Sequence, residues 1–353
     1  MGKERAPNLR EALLQESLPG GKARCLLCPR ACVVADGKRG YCFTRLNRGG
    51  RLYTLTYGLV SSATADTIEK KPVFHYQPGS LAMSLGSLGC NLRCIHCQNW
   101  RIAHVKPSEF QESILPPRRL VQHALREGCQ GIAWTYNEPS LWLEYTLRGA
   151  ELAREQGLYT CYVTNGYITG RALDALGPWL DIYRVDVKGF GADFYRRLAR
   201  ARDWDSILRA AERAKDRWGM HVEIVTNVIP GWNDQPGTLR SIARWILSAL
   251  GAETPWHVTR FVPHLKLSHL PPTPRETLER GREMGTEEGL RFVYVGNVPG
   301  HPFQNTYCPW CGELLIARFG NMVTEVHLEG VSCVSCRRPL PLTGPARPTP
   351  EGF

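Results

Sequence analysis

The chain has 353 residues, of which 43% are hydrophobic, with 13 cysteines and a formal net charge of +11. This length allows one large domain with small appendages, and the apolar content argues against global disorder. No apolar run reaches the ~18 residues of a transmembrane helix, and residues 1–7 are polar, without an apolar signal core. We therefore expect a cytoplasmic protein with no membrane partner, whose cysteines bind metals rather than form disulfides.

The first feature along the chain is a short segment with four cysteines, spaced C-x2-C-x3-C-x9-C: Cys25, Cys28, Cys32 and Cys42. A segment this short cannot bury a hydrophobic core of its own, so we expect a bound metal to stabilise its fold. The spacing fits a structural zinc ion, and an auxiliary iron–sulfur cluster that relays electrons is the alternative. We predict an N-terminal region, residues 1–75, that contains this four-cysteine metal module.

A Glu-Lys-Lys-Pro segment, residues 69–72, precedes the first predicted strand, and His75 follows it. Two adjacent lysines normally face solvent, and the alternative is a site for an anionic substrate. His75, together with His301 much later in the chain, is a candidate acid–base group by residue type.

Apolar strand patterns alternate with amphipathic helical patterns between about residues 76 and 300. Buried strands that alternate with helices pair in parallel through right-handed crossovers. The ordering predicts an α/β domain, either a partial barrel or a doubly wound sheet. The predicted strands are 81–85, 131–135, 159–164, 181–187, 221–228, 257–262 and 291–295, and the predicted helices are 118–127, 141–156, 206–217 and 238–250, with weaker helical stretches after Gly170 and Gly191.

Three cysteines directly follow the first predicted strand, with the spacing C-x3-C-x2-C: Cys90, Cys94 and Cys97. Three thiolates can hold three irons of a [4Fe–4S] cube, which leaves the fourth iron open to a small molecule. Structural zinc sites normally close with four ligands, so this run does not match one. It predicts a redox cluster that performs one-electron chemistry on a chelating cofactor.

Unusual polar residues stand where the other predicted strands end. The carboxyl ends of parallel strands form one face of a β/α fold, so these residues should meet there. They include Asn137 and Glu138 after the second strand, Asn165 after the third, Asp186 and Lys188 after the fourth, and His264 after the sixth.

A second cysteine module follows the predicted barrel, within residues 301–340. Cys308-x2-Cys311 and Cys333-x2-Cys336 form paired knuckles, and the sequence between them alternates as a hairpin does. This pattern predicts a zinc-ribbon-like module with a structural zinc ion, and a second iron–sulfur cluster is the alternative. No basic surface interleaves with aromatic residues, so nucleic acid is not an expected partner. The proline-rich end, residues 341–353, is predicted to be disordered.

The spacing of Cys90, Cys94 and Cys97 resembles that of the radical S-adenosylmethionine (SAM) enzymes. The resemblance implies a partial (β/α)6 barrel and a [4Fe–4S] cluster whose open iron is chelated by SAM. It also implies an electron donor such as flavodoxin or ferredoxin. One electron then cleaves SAM to a 5′-deoxyadenosyl radical, which abstracts hydrogen from a substrate.

The strand-end motifs resemble those of the pyruvate formate-lyase activating enzymes. Thr164-Asn165-Gly166 and Asp186-Val187-Lys188 carry this likeness most directly. A lysine at position 188 suits the SAM carboxylate, and the resemblance places Glu138 on the SAM amino group. The SAM-binding residues that it implies are His96, Asn99, Asn137, Glu138, Asn165, Asp186, Lys188 and His264.

Motifs along almost the whole chain resemble the radical SAM enzyme of the AmmeMemoRadiSam system. This resemblance implies Memo-type and AMMECR-type proteins as partners. We predict hydrogen abstraction from a small organic molecule, with activation of a glycyl-radical enzyme as the alternative. A non-enzymatic zinc-ribbon protein that binds nucleic acid is the other alternative. The motifs are Cys25-x2-Cys28-Pro29-Arg30-x-Cys32, Gly37-x2-Gly40-Tyr41-Cys42, Ile68-Glu69-Lys70-Lys71-Pro72, Cys97-Gln98-Asn99-Trp100, Thr135-Tyr136-Asn137-Glu138-Pro139, Gly296-Asn297-Val298-Pro299-Gly300 and Asn305-Thr306-Tyr307-Cys308.

Overall fold

The computed structural model describes residues 9–109 and 113–352, so the polar residues 1–7 lie outside the described ranges. The N-terminal region forms two small three-stranded antiparallel sheets. Their strands are β1 (Arg10–Glu11), β2 (Gln15–Leu18), β3 (Lys22–Cys25), β4 (Val33–Val34), β5 (Arg45–Arg48) and β6 (Arg51–Thr54). Buried residues of these strands, such as Ala23 and Leu52, belong to the main hydrophobic core, so the region packs against the barrel.

The central sheet has eight strands: β7 (Ser62–Thr67), β8 (Leu81–Gly86), β9 (Gly131–Trp134), β10 (Tyr159–Thr164), β11 (Ile182–Asp186), β12 (His221–Val228), β13 (Trp256–Arg260) and β14 (Val293–Gly296). They lie in sequence order across the sheet, with β8 to β14 parallel and β7 antiparallel to β8. β7 and β14 are the two edges, so the barrel is open. The predicted α/β fold with a partial barrel is confirmed.

In the described part of the chain, eight α-helices accompany this sheet: α1 (Trp100–Ala103), α2 (Pro117–Arg126), α3 (Leu143–Glu155), α4 (Gly170–Leu176), α5 (Ala192–Ala199), α6 (Ser206–Trp218), α7 (Pro236–Trp245) and α8 (Arg275–Glu287). α7 continues as a π-helical turn, Ile246–Leu250. α8 was not predicted, because glycines replace apolar side chains on its buried face. A methyl group on Gly285 would lie 2.9 Å from the Trp256 ring, so this glycine permits close packing on the sheet. Within the described ranges, every helix is too short or too polar to cross a bilayer.

The two faces of the sheet have different surroundings. Ile132 and Trp134 on the outer face pack in the core shared with the helices, whereas Ala133 faces the lumen. The amino ends of the strands are closed by the chain segment that precedes β8. The backbone N–H groups of Phe74 and His75 both donate to Glu223 Oε1 of β12, each at 2.8 Å. The lumen therefore opens at the carboxyl ends of the strands.

The two adjacent lysines have different environments. Lys70 Nζ lies 2.6 Å from Asp66 Oδ1 and its side chain is half exposed. Lys71 Nζ lies 2.8 Å from Asp66 Oδ2, and its side chain is only 2% exposed. The expectation that both lysines face solvent therefore holds for Lys70 alone, because Lys71 turns inward to an ion pair inside the protein.

The C-terminal module has five short strands: β15 (Thr306–Tyr307), β16 (Leu314–Phe319), β17 (Met322–Val326), β18 (Leu328–Glu329) and β19 (Ser332–Cys333). β16 and β17 form the predicted hairpin, and β15 pairs with β16. Arg318 of β16 reaches the closed end of the barrel. Its guanidinium lies 4.1 Å from the centre of the Phe74 ring, and its Nη2 donates to the Phe74 carbonyl at 3.1 Å.

The end of the chain packs against the barrel and the C-terminal module. The Gln77 N–H donates to the Thr343 carbonyl at 2.7 Å, and the Thr343 N–H donates to the His75 carbonyl at 2.8 Å. Further along, the Thr349 N–H donates to the Val323 carbonyl at 2.9 Å. The prediction of a disordered tail is wrong for these residues. Prolines remove some N–H donors, but those of Leu342, Thr343, Arg347 and Thr349 donate to neighbouring carbonyls.

Candidate active site

The three-cysteine loop lies at the open end of the lumen, directly after β8. Its backbone is fixed to the end of α5, because the N–H groups of Arg93 and Ile95 donate to the carbonyls of Ala199 and Leu198, each at 3.0 Å. Burial raises the pKa of Cys90 and Cys94 to about 12. Buried thiols of this kind become thiolates when a bound metal supplies the compensating positive charge.

Asn165 touches the cysteine loop from the end of β10. Its Nδ2 lies 3.5 Å from Cys90 Sγ and 2.9 Å from Asn91 Oδ1. Asn91 in turn donates from Nδ2 to the Tyr167 carbonyl at 2.6 Å. The two amides thus position the first cysteine. Asn91 was not among the predicted site residues, although its place next to Cys90 is a signal that could have identified it.

Two other predicted residues connect neighbouring loops. Asn137 accepts from the Ser87 N–H and donates to the Gly89 carbonyl, both at 2.9 Å. Asn99 donates to the Tyr136 carbonyl at 2.6 Å. These contacts place both amides at the cysteine loop. Their hydrogen bonds hold the loop in place.

The Glu138 carboxylate is fully buried and directed toward the protein. One oxygen accepts from Thr164 Oγ1 at 2.8 Å and the other from the Asn165 N–H at 2.8 Å. The Ser140 N–H also donates to it, at 3.0 Å. This differs from the predicted contact with the SAM amino group, because the carboxylate is already used to join the ends of β9 and β10.

Asp186 and Lys188 form a partly buried ion pair at the end of β11, with 2.7 Å between Lys188 Nζ and Asp186 Oδ2. Arg184 is a second cationic partner of Asp186. Burial opposes ionisation of Asp186, but Arg184 and Lys188 outweigh it and lower the pKa of Asp186 to about 2. Lys188 also interacts electrostatically with Cys94 and His96, so an ammonium stands beside the cysteine loop.

His96 is part of the cysteine loop, and the chain segment that contains His264 packs against that loop. His96 is buried, which lowers its pKa to about 3, so the ring is neutral. Its Nδ1 has no hydrogen-bond partner within the described part of the chain. The Lys266 N–H donates to the Ile95 carbonyl at 2.9 Å, which brings the loop that contains His264 to the same place.

The donor set fits an iron–sulfur cluster with a polar cofactor beside it. Three partly buried thiols can supply the cluster ligands, and Lys188 can supply a cation for a carboxylate. The unpaired Nδ1 of His96 is a buried polar atom that a bound ligand can satisfy. These features, at the mouth of a parallel barrel, define an α/β enzyme with an iron–sulfur reaction centre.

The two candidate acid–base histidines do not meet at this centre. His75 Nε2 lies 2.7 Å from the Tyr294 hydroxyl, at the closed end of the barrel. His301 Nε2 lies 2.9 Å from Glu279 Oε1 on α8, and its Nδ1 accepts from the Phe303 N–H. Their ring nitrogens are occupied by structural contacts, so neither placement supports the predicted catalytic role.

The other two cysteine groups stand apart from the three-cysteine loop in sequence. In the C-terminal module, the four sulfurs of Cys308, Cys311, Cys333 and Cys336 lie within 4.8 Å of one another. This spacing fits one tetrahedral metal ion. In the N-terminal region, Cys25, Cys28, Cys32 and Cys42 line a single small cavity.

Residues 85–242 match the model of the radical SAM superfamily. The chain is 42% identical over 330 residues to the uncharacterised protein MJ0808 of Methanocaldococcus jannaschii, and the match covers 93% of this chain and 98% of that protein. It is 27% identical over 189 residues to the pyruvate formate-lyase-activating enzyme of Clostridium pasteurianum, covering 51% of this chain and 77% of that enzyme.

Among solved structures, a radical SAM methyltransferase from Sphaerobacter thermophilus has the same fold, with a TM-score of 0.51 and 14% identity. That likeness covers 84% of this chain and 81% of the methyltransferase. Residues 85–242 form a radical SAM superfamily domain, and the chain is an enzyme with similarity to the pyruvate formate-lyase-activating enzymes.

Proposed function

We propose that this enzyme cleaves SAM reductively and uses the resulting radical to abstract hydrogen from a small organic substrate. The observation that carries the proposal is that Cys94 and Cys97 lie within electrostatic range of the Lys188 ammonium, on the same loop as Cys90 at the open end of the lumen. When bound at these thiolates, a [4Fe–4S] cluster supplies the electron that cleaves SAM to methionine and a 5′-deoxyadenosyl radical.

The residues around the cysteine loop divide into two groups under this proposal. Lys188 binds the SAM carboxylate, and Asp186 accepts from the amine or a ribose hydroxyl. His96 and His264 complete the SAM-binding surface. The second group forms hydrogen bonds within the protein and holds the strand ends and the cysteine loop in the geometry that SAM requires. It comprises Asn99, Asn137, Glu138 and Asn165.

The shape of the lumen favours a small substrate. Residues 68–76 and Arg318 close its far end, so a long peptide loop cannot pass through. Cations and carboxylates are paired in this interior: Lys71 lies against Asp66, Arg184 and Lys188 lie against Asp186, and Arg318 lies 3.6 Å from Glu69.

We further propose that the enzyme acts in the AmmeMemoRadiSam system, with Memo-type and AMMECR-type proteins as partners and flavodoxin or ferredoxin as electron donor. The family motifs along almost the whole chain support this assignment. Zinc at the four C-terminal cysteines is part of the same proposal, and their close sulfur spacing supports it. The many cysteines proposed as metal ligands suit a reducing compartment such as the cytoplasm.

Activation of a glycyl-radical enzyme is the second candidate, and the likeness to the enzyme of Clostridium pasteurianum favours it. Because the superfamily consists of enzymes, a non-enzymatic nucleic-acid-binding role has no support from the comparisons.

Incubation of the anaerobically reconstituted enzyme with SAM and dithionite tests both candidates. We expect 5′-deoxyadenosine by mass spectrometry, at a yield that rises when small-molecule extracts are added. A stable glycyl doublet in the electron paramagnetic resonance spectrum of a co-purified protein would instead establish the activating-enzyme role. Absence of 5′-deoxyadenosine from a fully cluster-loaded enzyme would contradict the proposal as a whole.

Replacing Lys188 with alanine should weaken SAM binding while the cluster remains. Loss of one charged hydrogen bond costs about 1.5–3 kcal/mol, which is roughly a 10- to 150-fold rise in the dissociation constant. Equilibrium dialysis with labelled SAM measures this change, and iron analysis confirms the cluster. Lys22→Ala, at the exposed first position of β3, is the matched control. An unchanged dissociation constant would show that Lys188 does not contact SAM.

A further inference from the structure

The three groups of cysteines fall into two classes by sulfur spacing. In the C-terminal module the sulfur pairs Cys308–Cys336 and Cys311–Cys333 are each 3.6 Å apart. Tetrahedral zinc, with Zn–S bonds of about 2.3 Å, brings its four sulfurs this close. Among the described residues, this is the one group whose ligand atoms all lie within 4.8 Å of one another. The radical SAM cysteines fall outside that limit, as the larger iron–sulfur cube requires.

The four N-terminal cysteines belong to the wider class. They line one cavity together with Asn91 and Leu141, so they face a common space. No three of them, all within the described ranges, satisfy the close spacing found in the C-terminal module. Three of these cysteines are buried and the fourth, Cys32, is partly buried. Four thiols around a shared, enclosed space, too far apart for a single tetrahedral ion, match the ligand set of a [4Fe–4S] cube.

We infer that Cys25, Cys28, Cys32 and Cys42 hold a second [4Fe–4S] cluster, which passes electrons to the cluster at the radical SAM cysteines. This inference replaces zinc, one of the two interpretations that the cysteine spacing allowed. Cluster binding at these four cysteines is independent of the proposed function. The electron relay rests on the proposed function.

The N-terminal cysteine cavity directly adjoins the radical SAM loop. Asn91 lines the cavity, and its Oδ1 lies 3.9 Å from Cys90 Sγ. A methyl group on Gly89, the residue before Cys90, would lie 2.7 Å from the Cys42 carbonyl oxygen. A single layer of backbone and one amide therefore separates the two sites.

Cationic side chains surround the same junction. Arg30 packs its guanidinium 3.6 Å from the centre of the Tyr41 ring and donates to the Asn91 carbonyl. Arg93 donates to the Tyr41 carbonyl and the Cys90 carbonyl, both at 2.7 Å. Positive charge between two clusters stabilises the reduced, more negative state of each.

The relay moves one electron at each step. A reduced flavodoxin or ferredoxin gives one electron to the N-terminal cluster, which changes from the 2+ to the 1+ state. That cluster returns to 2+ when it reduces the cluster at Cys90, Cys94 and Cys97 from 2+ to 1+. SAM cleavage then consumes the electron and restores the 2+ state, so the enzyme needs one donor electron per SAM cleaved.

Measuring the metal content distinguishes a second cluster from zinc at the N-terminal cysteines, and it needs no activity assay. In a Cys90→Ala, Cys94→Ala, Cys97→Ala variant, the N-terminal cysteines remain intact. After anaerobic reconstitution we expect about four irons and four sulfides per chain, together with one zinc ion. Reduction with dithionite should give the paramagnetic resonance signal of a [4Fe–4S]1+ cluster. Two zinc ions with no iron, or no metal in the N-terminal region, would overturn the inference.

A complementary variant, Cys25→Ser with Cys28→Ser, tests the relay. It should keep about half of the iron of the unmodified enzyme, because the radical SAM cysteines are unchanged. Its remaining cluster should be reduced by flavodoxin at least tenfold more slowly, measured by bleaching of the cluster absorbance, and equally fast by dithionite. Equal rates with flavodoxin would rule out the relay. Lack of SAM cleavage in the unmodified enzyme would instead contradict the proposed function and leave the iron result standing.

Discussion

An enzyme in which Cys90, Cys94 and Cys97 are all replaced by alanine should form no detectable 5′-deoxyadenosine. The three thiolates are the proposed ligands of the cluster that delivers the electron, and alanine offers no ligand atom. Because the loop is fixed by backbone hydrogen bonds from Arg93 and Ile95, the substitutions should leave the barrel folded. Anaerobic turnover with SAM and dithionite, followed by mass spectrometry, measures the loss.

The matched control for this prediction is Cys129→Ala. Cys129 is also buried, but it lies after α2 and belongs to none of the three cysteine groups. This variant should retain the full iron content and full SAM cleavage. Circular dichroism of all variants confirms that loss of activity is not loss of fold. SAM cleavage at the unmodified rate in the triple variant would contradict the placement of the radical centre at these cysteines.

Replacing Cys333 and Cys336 with serine should release the proposed zinc ion and unfold the C-terminal module. Structural zinc sites contribute about 10–16 kcal/mol, more than the small core of this module can replace. The damage should extend to the barrel, because Arg318 of β16 donates to the Phe74 carbonyl at its closed end. We expect rapid proteolysis of residues 301–352 and a lower melting temperature of the remaining protein.

Zinc release is measured with a chromogenic chelator, and limited proteolysis shows which segment becomes accessible. Ser335→Ala is the matched control, because Ser335 lies between the two cysteines in the same knuckle and is exposed. This variant should keep its zinc and its protease resistance. Retention of a stable, protease-resistant module in the double serine variant would show that no metal holds it, and iron bound at these cysteines would exclude zinc.

Local patterns in the sequence predicted the α/β fold and the cysteine groups, whereas the choice of a partial barrel over a doubly wound sheet came from the family resemblance. The positions of the seven predicted strands agree with the structure because buried parallel strands are largely apolar, as in Leu81–Gly86 and Gly131–Trp134, whereas the antiparallel edge strand β7 was not predicted. The ligand spacing of Cys90, Cys94 and Cys97 is likewise a short-range property of the chain. α8 was not predicted because its packing depends on glycines 281 and 285, which carry no apolar side chain to mark a buried face.

Contacts between distant parts of the chain decided the remaining features, and no local pattern could reveal them. The Glu138 carboxylate is used by Thr164 and Asn165, 26 and 27 residues away, so its residue type alone did not give its role. His75 is placed at the closed end of the barrel by Tyr294, which is 219 residues away.

The proline-rich tail is ordered for the same reason, because its few N–H groups find carbonyls of the barrel segment, as Thr343 does with His75. The sequence by itself thus determined which elements and metal ligands exist, since both follow from near neighbours. Only the tertiary structure decided which polar groups remain free for a cofactor, because that depends on hydrogen bonds formed when distant segments pack together.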